Sequence, residues 1–542
     1  MSYTGAMKRL LPIGIQDFAS IRNEGFCYID KTAGIHRMIT GSGRAFFLAR
    51  PRRFGKSLLC STLEAVFGGR RELFDGINGY PELAINSLEW GWEEHPVIRI
   101  DLNVANYNRG LDLLESTLNN ALDNVARRYG LELRGDYVSH RFLNLIMDMH
   151  DRAGRKVAVI IDEYDKPLLD TMDEAPLHKD MRNMLKGFYS VLKPSSGYLR
   201  FVFLTGVTKF SHVSIFSDLN HLQDLTLDRR YADICGITQE ELETGFAPEI
   251  ESILSESGSG REEYLGKLRR FYNGYRFSKE PIRVYNPFGL LNHFESREFR
   301  PYWYDTGTPT FLVRLILGQK LNILDLGNLR VSSTDFHKYD IETMRAAPLL
   351  YQSGYLTIAD YDARRDRFTL DYPNDEVRSC FAGSLLEHYA PVSEPASGAL
   401  STKLLDALFD GDLGSAMDAL KGFFAAIPYD IISGSENYYQ TAVHLIFTML
   451  GLRCRSEVRI AAGRIDTLVE IEDLVYCFEF KLNGSAREAL AQIDSREYLL
   501  PWAGSGKRLI KVGVSFDGGR RNIGEWESAE GLAGGTEGAT FC

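Results

Sequence analysis

Two short runs carry residue types that handle phosphate. Arg50–Ser57 reads RPRRFGKS and Val159–Asp165 reads VIIDEYD. A phosphate-binding loop turns successive backbone N–H groups inward, opens a helix, and brings a lysine to the terminal phosphates. FGKS at 54–57 lies between an apolar strand candidate and a helix candidate, the context such a loop needs. Lys56 is placed to bridge the β- and γ-phosphates of ATP and the Ser57 hydroxyl to ligate Mg²⁺, with Arg53, Phe54, Gly55 and Leu58 completing the loop. About 105 residues further on, an apolar strand ends in Asp162 and Glu163. Asp162 suits the metal and Glu163 the attacking water. Thr205, in FVFLTGVTK at 201–209, is a candidate sensor of the γ-phosphate, with Thr208 and Lys209 as alternatives. A plain turn role weighs equally for a threonine at a strand end. The loop departs from GxxxxGK[ST] at its first glycine, where Arg50 stands.

A second constellation lies near the C-terminus. GRIDTLVEI at 463–471 places Asp466 in a strand, and CFEFKL at 477–482 places Glu479 and Lys481 in the next. Period-two alternation puts Glu479 and Lys481 on one face and Phe478, Phe480 and Leu482 on the other. Two carboxylates can hold a divalent cation such as Mg²⁺, and the lysine can orient water or balance phosphate charge. The bland alternative is an exposed Glu–Lys pair on an edge strand.

The elements that must position these residues follow from hydrophobic periodicity. Strands are expected at Ala45–Ala49, Val97–Leu102, Val157–Ile161 and Phe201–Leu204, with helices at Lys56–Phe67, Leu111–Arg128 and Leu177–Leu192. That alternation is the pattern of a parallel sheet covered on both faces. After about residue 240 the texture changes to acidic helix and aromatic-rich stretches, FYNGYRF at 271–277 among them, which more often fill a core than stack on single-stranded nucleic acid. The C-terminal part reads α-β-β-β-α-β: Glu436–Leu450, Ser456–Ile460, Arg464–Ile471, Leu474–Leu482, Ala486–Ile493 and Leu509–Phe516. The expected divisions are an ATPase domain at 1–240, a mostly helical appendage at 241–380, a helical connector at 381–430, the α/β domain at 431–517, and a flexible, Gly-rich tail at 518–542.

At 542 residues, 44% apolar and 25% charged, the chain has the balance of a soluble, multidomain protein. No run approaches the ~18 apolar residues of a membrane span, and the opening MSYTGAMKRLLPIGIQDF is not patterned as a signal peptide. Seven scattered cysteines without a CxxC pair indicate neither a zinc site nor a disulfide framework, and fit a reducing cytoplasm. His212 and His221 lack the clustered partners of a metal site. A net charge of −11 argues against a general basic coat for nucleic acid, though a local groove is compatible with it.

Over nearly its whole length the sequence resembles bacterial proteins in which an AAA-like ATPase domain is fused to a nuclease-like domain of the PD-(D/E)xK superfamily. The resemblance rests on IGIQDF (13–18), YIDKT (28–32), RPRRFGKSLL (50–59), IIDEYDKP (160–167), FLTGVTKFS (203–211), SIFSDLNHL (214–222), FYNGY (271–275), YNPF (285–288) and SGYLT (353–357). It implies an α/β fold: a P-loop NTPase parallel sheet with a helical appendage, plus a restriction-endonuclease-like C-terminal domain. It makes Asp466, Glu479 and Lys481 a D-x(n)-E-x-K set and Glu436 the upstream acid that joins Asp466 and Glu479 at the metal, with Gln492 and Tyr498 as further positions of that domain. The partners it implies are a nucleotide and, at the C-terminal domain, nucleic acid. Self-association, with Arg229 or Arg230 reaching a neighbouring subunit's γ-phosphate, stays open. So does a rival reading, a nucleotide-dependent switch whose last domain binds nucleic acid or protein without cutting it.

Overall fold

The computed structural model describes residues 9–209, 222–307, 310–336, 346–391, 394–429, 431–432 and 434–531. Backbone contacts divide the chain into two compact units. One comprises Met1–Trp303 with Asn328–Asn374, the other Tyr304–Gly327 with Asp375–Cys542. Tyr304–Gly327, expected within the helical appendage, thus belongs with the C-terminal residues. Its Tyr304 hydroxyl meets Ser384 Oγ at 2.7 Å, and the helix Thr310–Gly318 packs on the helix Asp375–Tyr389. No helix among the described residues is long and apolar enough to cross a membrane.

The first unit is built on strands β1 (Ala45–Ala49), β2 (Val97–Asp101), β3 (Val157–Asp162), β4 (Leu199–Gly206) and β5 (Gln223–Asp224). Their order is β2-β3-β4-β1-β5, and every pairing is parallel. β1 and β3 are buried at every position, as uninterrupted apolar runs in a parallel sheet covered on both faces must be. In Leu111–Arg128 the buried Leu114, Leu118, Leu122 and Val125 fall at helical intervals and lie in the same core as Val159 and Ile161 of β3. The helix Val138–Ala153 was not among the expected elements, although Val138, Phe142, Leu145, Ile146 and Met149 give it a buried stripe. The span read as a mostly helical appendage also carries strands: the pair β6 (Tyr275–Arg276) and β7 (Arg283–Val284), and an antiparallel sheet of β8 (Leu329–Ser332), β9 (Thr357–Asp362) and β10 (Arg367–Asp371). The aromatics Tyr272, Tyr275, Phe277 and Tyr285 are buried, in keeping with packing.

In the second unit β11 (Arg453–Ile460), β12 (Gly463–Ile471), β13 (Leu474–Leu482), β14 (Arg508–Asp517) and β15 (Asn522–Glu530) form one sheet in sequence order. β11, β12 and β13 are antiparallel; β13 and β14 are parallel, joined through the helix Ala486–Ser495. A reciprocal capping box of Ser485 and Glu488 starts that helix. β15 corrects the expected tail: residues 522–530 pair antiparallel with β14, burying Ile523 and Trp526. Its other positions are polar or small (Asn522, Gly524, Glu525, Glu527, Ser528, Ala529 and Glu530), as suits an edge strand, so composition alone read it as loop.

Candidate functional site

In the first unit the candidate site lies at the carboxyl edge of the parallel sheet, where ligands of open α/β sheets bind. β1 runs into the loop Arg50–Gly55, and Gly55, at φ +92°, opens the helix Lys56–Phe67. A side chain would be strained at that φ, which fits glycine directly before the lysine. Lys56 is only 4% exposed, and its Nζ lies 3.2 Å from Glu163 Oε1 and 3.2 Å from the Pro51 carbonyl. Burial alone would lower the ammonium's pKa; the carboxylates of Glu163, Asp162 and Asp165 outweigh it and hold the group above its usual value. Asp162, at the end of β3, is fully buried beside Ser57: its Oδ1 accepts from the Glu163 N–H at 3.0 Å, and its Oδ2 is buried without a hydrogen-bond partner. Burial, reinforced by the Glu163 charge, pushes Asp162 up to about 6. Glu163 itself sits at φ +50°, a left-handed conformation that costs a non-glycine residue of order 1–3 kcal/mol and clusters at functional sites.

Several loop residues have structural partners. Arg50 is 1% exposed: its guanidinium donates to the carbonyls of Ala49, Thr226 and Tyr231, and stands 4.2 Å from the centre of the Phe277 ring. The residue in place of the first glycine is therefore an internal brace that ties the loop to the strand exits behind it. Phe54 packs edge-on against Tyr275 and Phe277, so its backbone is what it can offer a phosphate. Arg53 lies over Phe288, with Leu58 half-buried on the first turn of the helix. Thr205 is fully buried, and its hydroxyl donates to the Leu48 carbonyl at 2.7 Å. That bond ties β4 to β1 and commits the group expected to sense phosphate. Thr208 donates its hydroxyl to Asp165, and Lys209 pairs with Asp224 at 2.6 Å. SIFSDLNHL up to His221, His212 and the end of FLTGVTKFS lie outside the described residues.

Asp165 belongs to the motif but was assigned no role from sequence. Fully buried, it accepts from the N–H groups of Val207 and Thr208 and from the Thr208 hydroxyl. Burial and the Glu163 charge nevertheless raise its pKa. A Cβ at Gly206 would fall 2.1 Å from Asp165 Oδ1, so glycine there is what allows the carboxylate its place.

In the second unit β12 and β13 pair from Ile471↔Leu474 to Thr467↔Phe478, and then separate. Carboxylates occupy the opening. Asp466 Oδ2 accepts from the Phe480 N–H at 2.9 Å, and Glu436 Oε2 from the Leu482 N–H at 3.0 Å. Glu479 is 1% exposed; its Oε1 accepts from Lys481 Nζ at 3.1 Å and from Gln492 Nε2, while Oε2 is buried without a hydrogen-bond partner. Gln492 also reaches the Tyr498 hydroxyl at 3.3 Å. Burial first, then the Asp466 charge, raises Glu479 to about 7 against the pull of Lys481. Burial likewise raises Asp466 to about 6, with Glu436 and Glu457 adding to it.

A family model described as a predicted AAA-ATPase matches residues 12–216, and one described as the PD-(D/E)XK nuclease superfamily matches residues 434–526. A protein of Azotobacter chroococcum mcd 1, described as an uncharacterized protein in the vnfD 5′ region, is 37% identical over 528 residues, spanning 95% of this chain and 98% of that protein.

The chain belongs to this AAA-ATPase-like family with a C-terminal PD-(D/E)XK domain.

No solved structure matches it. The nuclease-superfamily match reaches Trp526, within β15. Two further residues of this domain escaped the sequence reading. Gln440 donates both amide hydrogens, to Glu457 Oε1 at 2.9 Å and to the Asp466 carbonyl at 2.8 Å. Glu457 sits at φ +56° inside an otherwise extended strand, which no sequence pattern signals. Tested for a divalent cation, the donors fit in part. The unpartnered Glu479 oxygen beside Asp466 suits one, as do Ser57 and Asp162 in the ATPase-like unit. Yet among the described residues no three His, Cys, Asp or Glu side chains gather as a ligand group. Glu436, expected to complete the set, accepts from the Leu482 N–H through Oε2 and adds its charge near Asp466.

Proposed function

We propose that this protein binds and hydrolyses ATP at Lys56, Ser57, Asp162 and Glu163, cuts nucleic acid at Asp466, Glu479 and Lys481, and uses the nucleotide cycle to gate cutting. The observation that carries the ATPase half is the contact of Lys56 with Glu163, beside Ser57 and the buried, unpartnered Oδ2 of Asp162. Phosphate arriving at the loop competes with Glu163 for Lys56, which frees the Glu163 carboxylate to orient water. A bound Mg²⁺ would be held by Ser57 and Asp162 and would neutralise charge on the β- and γ-phosphates.

The nuclease half is supported by the buried Glu479, with one free oxygen, Asp466 next to it and Lys481 bonded to it. A divalent cation on Asp466 and Glu479 would supply Lewis acidity at the scissile phosphate. Lys481 stays placed to orient water, and Gln492 holds the inner Glu479 oxygen. The cell compartment that fits is the cytoplasm of a bacterium. ATP turnover and cutting of labelled DNA and RNA, each measured with Mg²⁺ or Mn²⁺, test the two halves; loss of either activity from the wild-type chain removes that half.

That no three His, Cys, Asp or Glu side chains gather as a ligand group among the described residues favours one rival, a nucleotide-dependent switch whose last domain binds without cutting. Robust ATP hydrolysis with no cleavage under either metal would establish it.

A further inference from the structure

Arg459 and Arg464 are register partners at the closed end of the β11–β12 hairpin, and both are exposed. Residues directly opposite on antiparallel strands stand with their Cβ atoms about 4.5–5.5 Å apart, and like charges there repel. Arg464 is held by Glu457 at 2.6 Å, whereas Arg459 enters no ion pair among the described residues. Glu457 is fixed in turn by Gln440, whose other hydrogen goes to the Asp466 carbonyl. The contacts Arg464–Glu457–Gln440 thus tie one arginine of the pair to the backbone of Asp466, the candidate metal-binding residue. One residue, Ile465, separates Arg464 from Asp466 on β12, so the two stand on one face of the strand about 6.6 Å apart.

We infer that Arg459 and Arg464 grip the phosphate backbone of the nucleic-acid strand presented to Asp466, Glu479 and Lys481; the inference rests on the nuclease reading above. A polyanion approaching this site meets Glu436, Glu457, Asp466 and Glu479, and the chain's net charge of −11 offers no general attraction. A local cationic contact has to offset that repulsion. Arginine supplies it with a planar fork that matches phosphate oxygens, and Glu457 pre-orients one fork while the other stays free. A phosphate between the two guanidiniums also removes their mutual repulsion.

The test is binding of a labelled single-stranded DNA or RNA oligonucleotide to the full chain in EDTA, between 50 and 200 mM salt, for the wild type, the Arg459→Ala/Arg464→Ala variant and the Arg459→Lys/Arg464→Lys variant. Losing two phosphate contacts should weaken binding about ten-fold or more at low salt and shrink the slope of log K against log salt by about 1.4, with partial recovery in the lysine variant. Unchanged circular dichroism and melting temperature show that the variants fold. Wild-type affinity and slope in the alanine variant would overturn the grip while leaving the nuclease reading intact. A wild-type chain that binds neither DNA nor RNA would overturn both.

Discussion

The Lys56 ammonium, buried at the start of its helix, lies 3.2 Å from the Glu163 carboxylate at the end of β3. The lysine that would meet phosphate is thus held by the group that would handle water. Glu163→Gln should therefore bind ATP at least as tightly as the wild type, because the competitor for Lys56 loses its charge, while hydrolysis falls by about 10²-fold or more. Lys56→Ala should lose both binding and turnover. Anisotropy of a fluorescent ATP analogue and phosphate release separate the two outcomes; Glu163→Gln turning over at the wild-type rate would remove Glu163 from the chemistry.

Arg50→Gly, which restores the ordinary loop glycine, should weaken the protein rather than improve nucleotide binding. It removes three hydrogen bonds to carbonyls and the contact with Phe277. Hydrogen bonds from a charged donor contribute about 1.5–3 kcal/mol each, not additively, so a loss of several kcal/mol in denaturant unfolding is expected. A variant of wild-type stability would contradict the brace.

Asp165→Ala leaves the N–H groups of Val207 and Thr208 buried without an acceptor, at about 1–3 kcal/mol each. Thr205→Val removes one neutral bond to Leu48 and should cost only about 1 kcal/mol, with ATP turnover retained. A collapse of turnover in Thr205→Val at unchanged ATP affinity would return Thr205 to the role of phosphate sensor.

These residues mark where the sequence was legible. Strand–loop–helix order, the FGKS loop and the Asp162–Glu163 step are local patterns, and β1, β3 and the helix after the loop lie close to where periodicity places them. The same holds for Asp466 in GRIDTLVEI and for Glu479 and Lys481, which alternate with Phe478, Phe480 and Leu482 at the end of an otherwise apolar strand. The functions of Arg50, Thr205 and Asp165 depend on partners far along the chain, such as Thr226 and Tyr231 for Arg50. No local pattern carries those. Glu457 was hidden by a single left-handed residue within a strand, and β15 by the polar composition that suits an edge.

Glu479 also makes stability depend on pH. Its pKa is about 7 in the fold against an ordinary 4.5, so between those values the native state binds more protons than the unfolded chain. Stability from this group is fully present below about 4.5 and is lost as pH rises through about 7. In EDTA, Glu479→Gln should therefore melt higher than the wild type at pH 8, with the gap narrowing toward pH 5. Mg²⁺ or Mn²⁺ should raise the wild-type melting temperature at pH 8 and leave the variant unmoved. A variant less stable than the wild type at pH 8 in EDTA would contradict the raised carboxylate.

The most direct measurement is cleavage of a mixed panel of labelled DNA and RNA with Mg²⁺ or Mn²⁺, with and without ATP, by the wild type, Lys481→Ala and Lys56→Ala. The expected result is cutting by the wild type that rises with ATP, no cutting by Lys481→Ala despite normal ATP hydrolysis, and ATP-independent residual cutting by Lys56→Ala. Cutting retained in Lys481→Ala would contradict the assignment of the site, and the absence of cutting alongside robust ATP hydrolysis would make the protein a nucleotide-dependent switch.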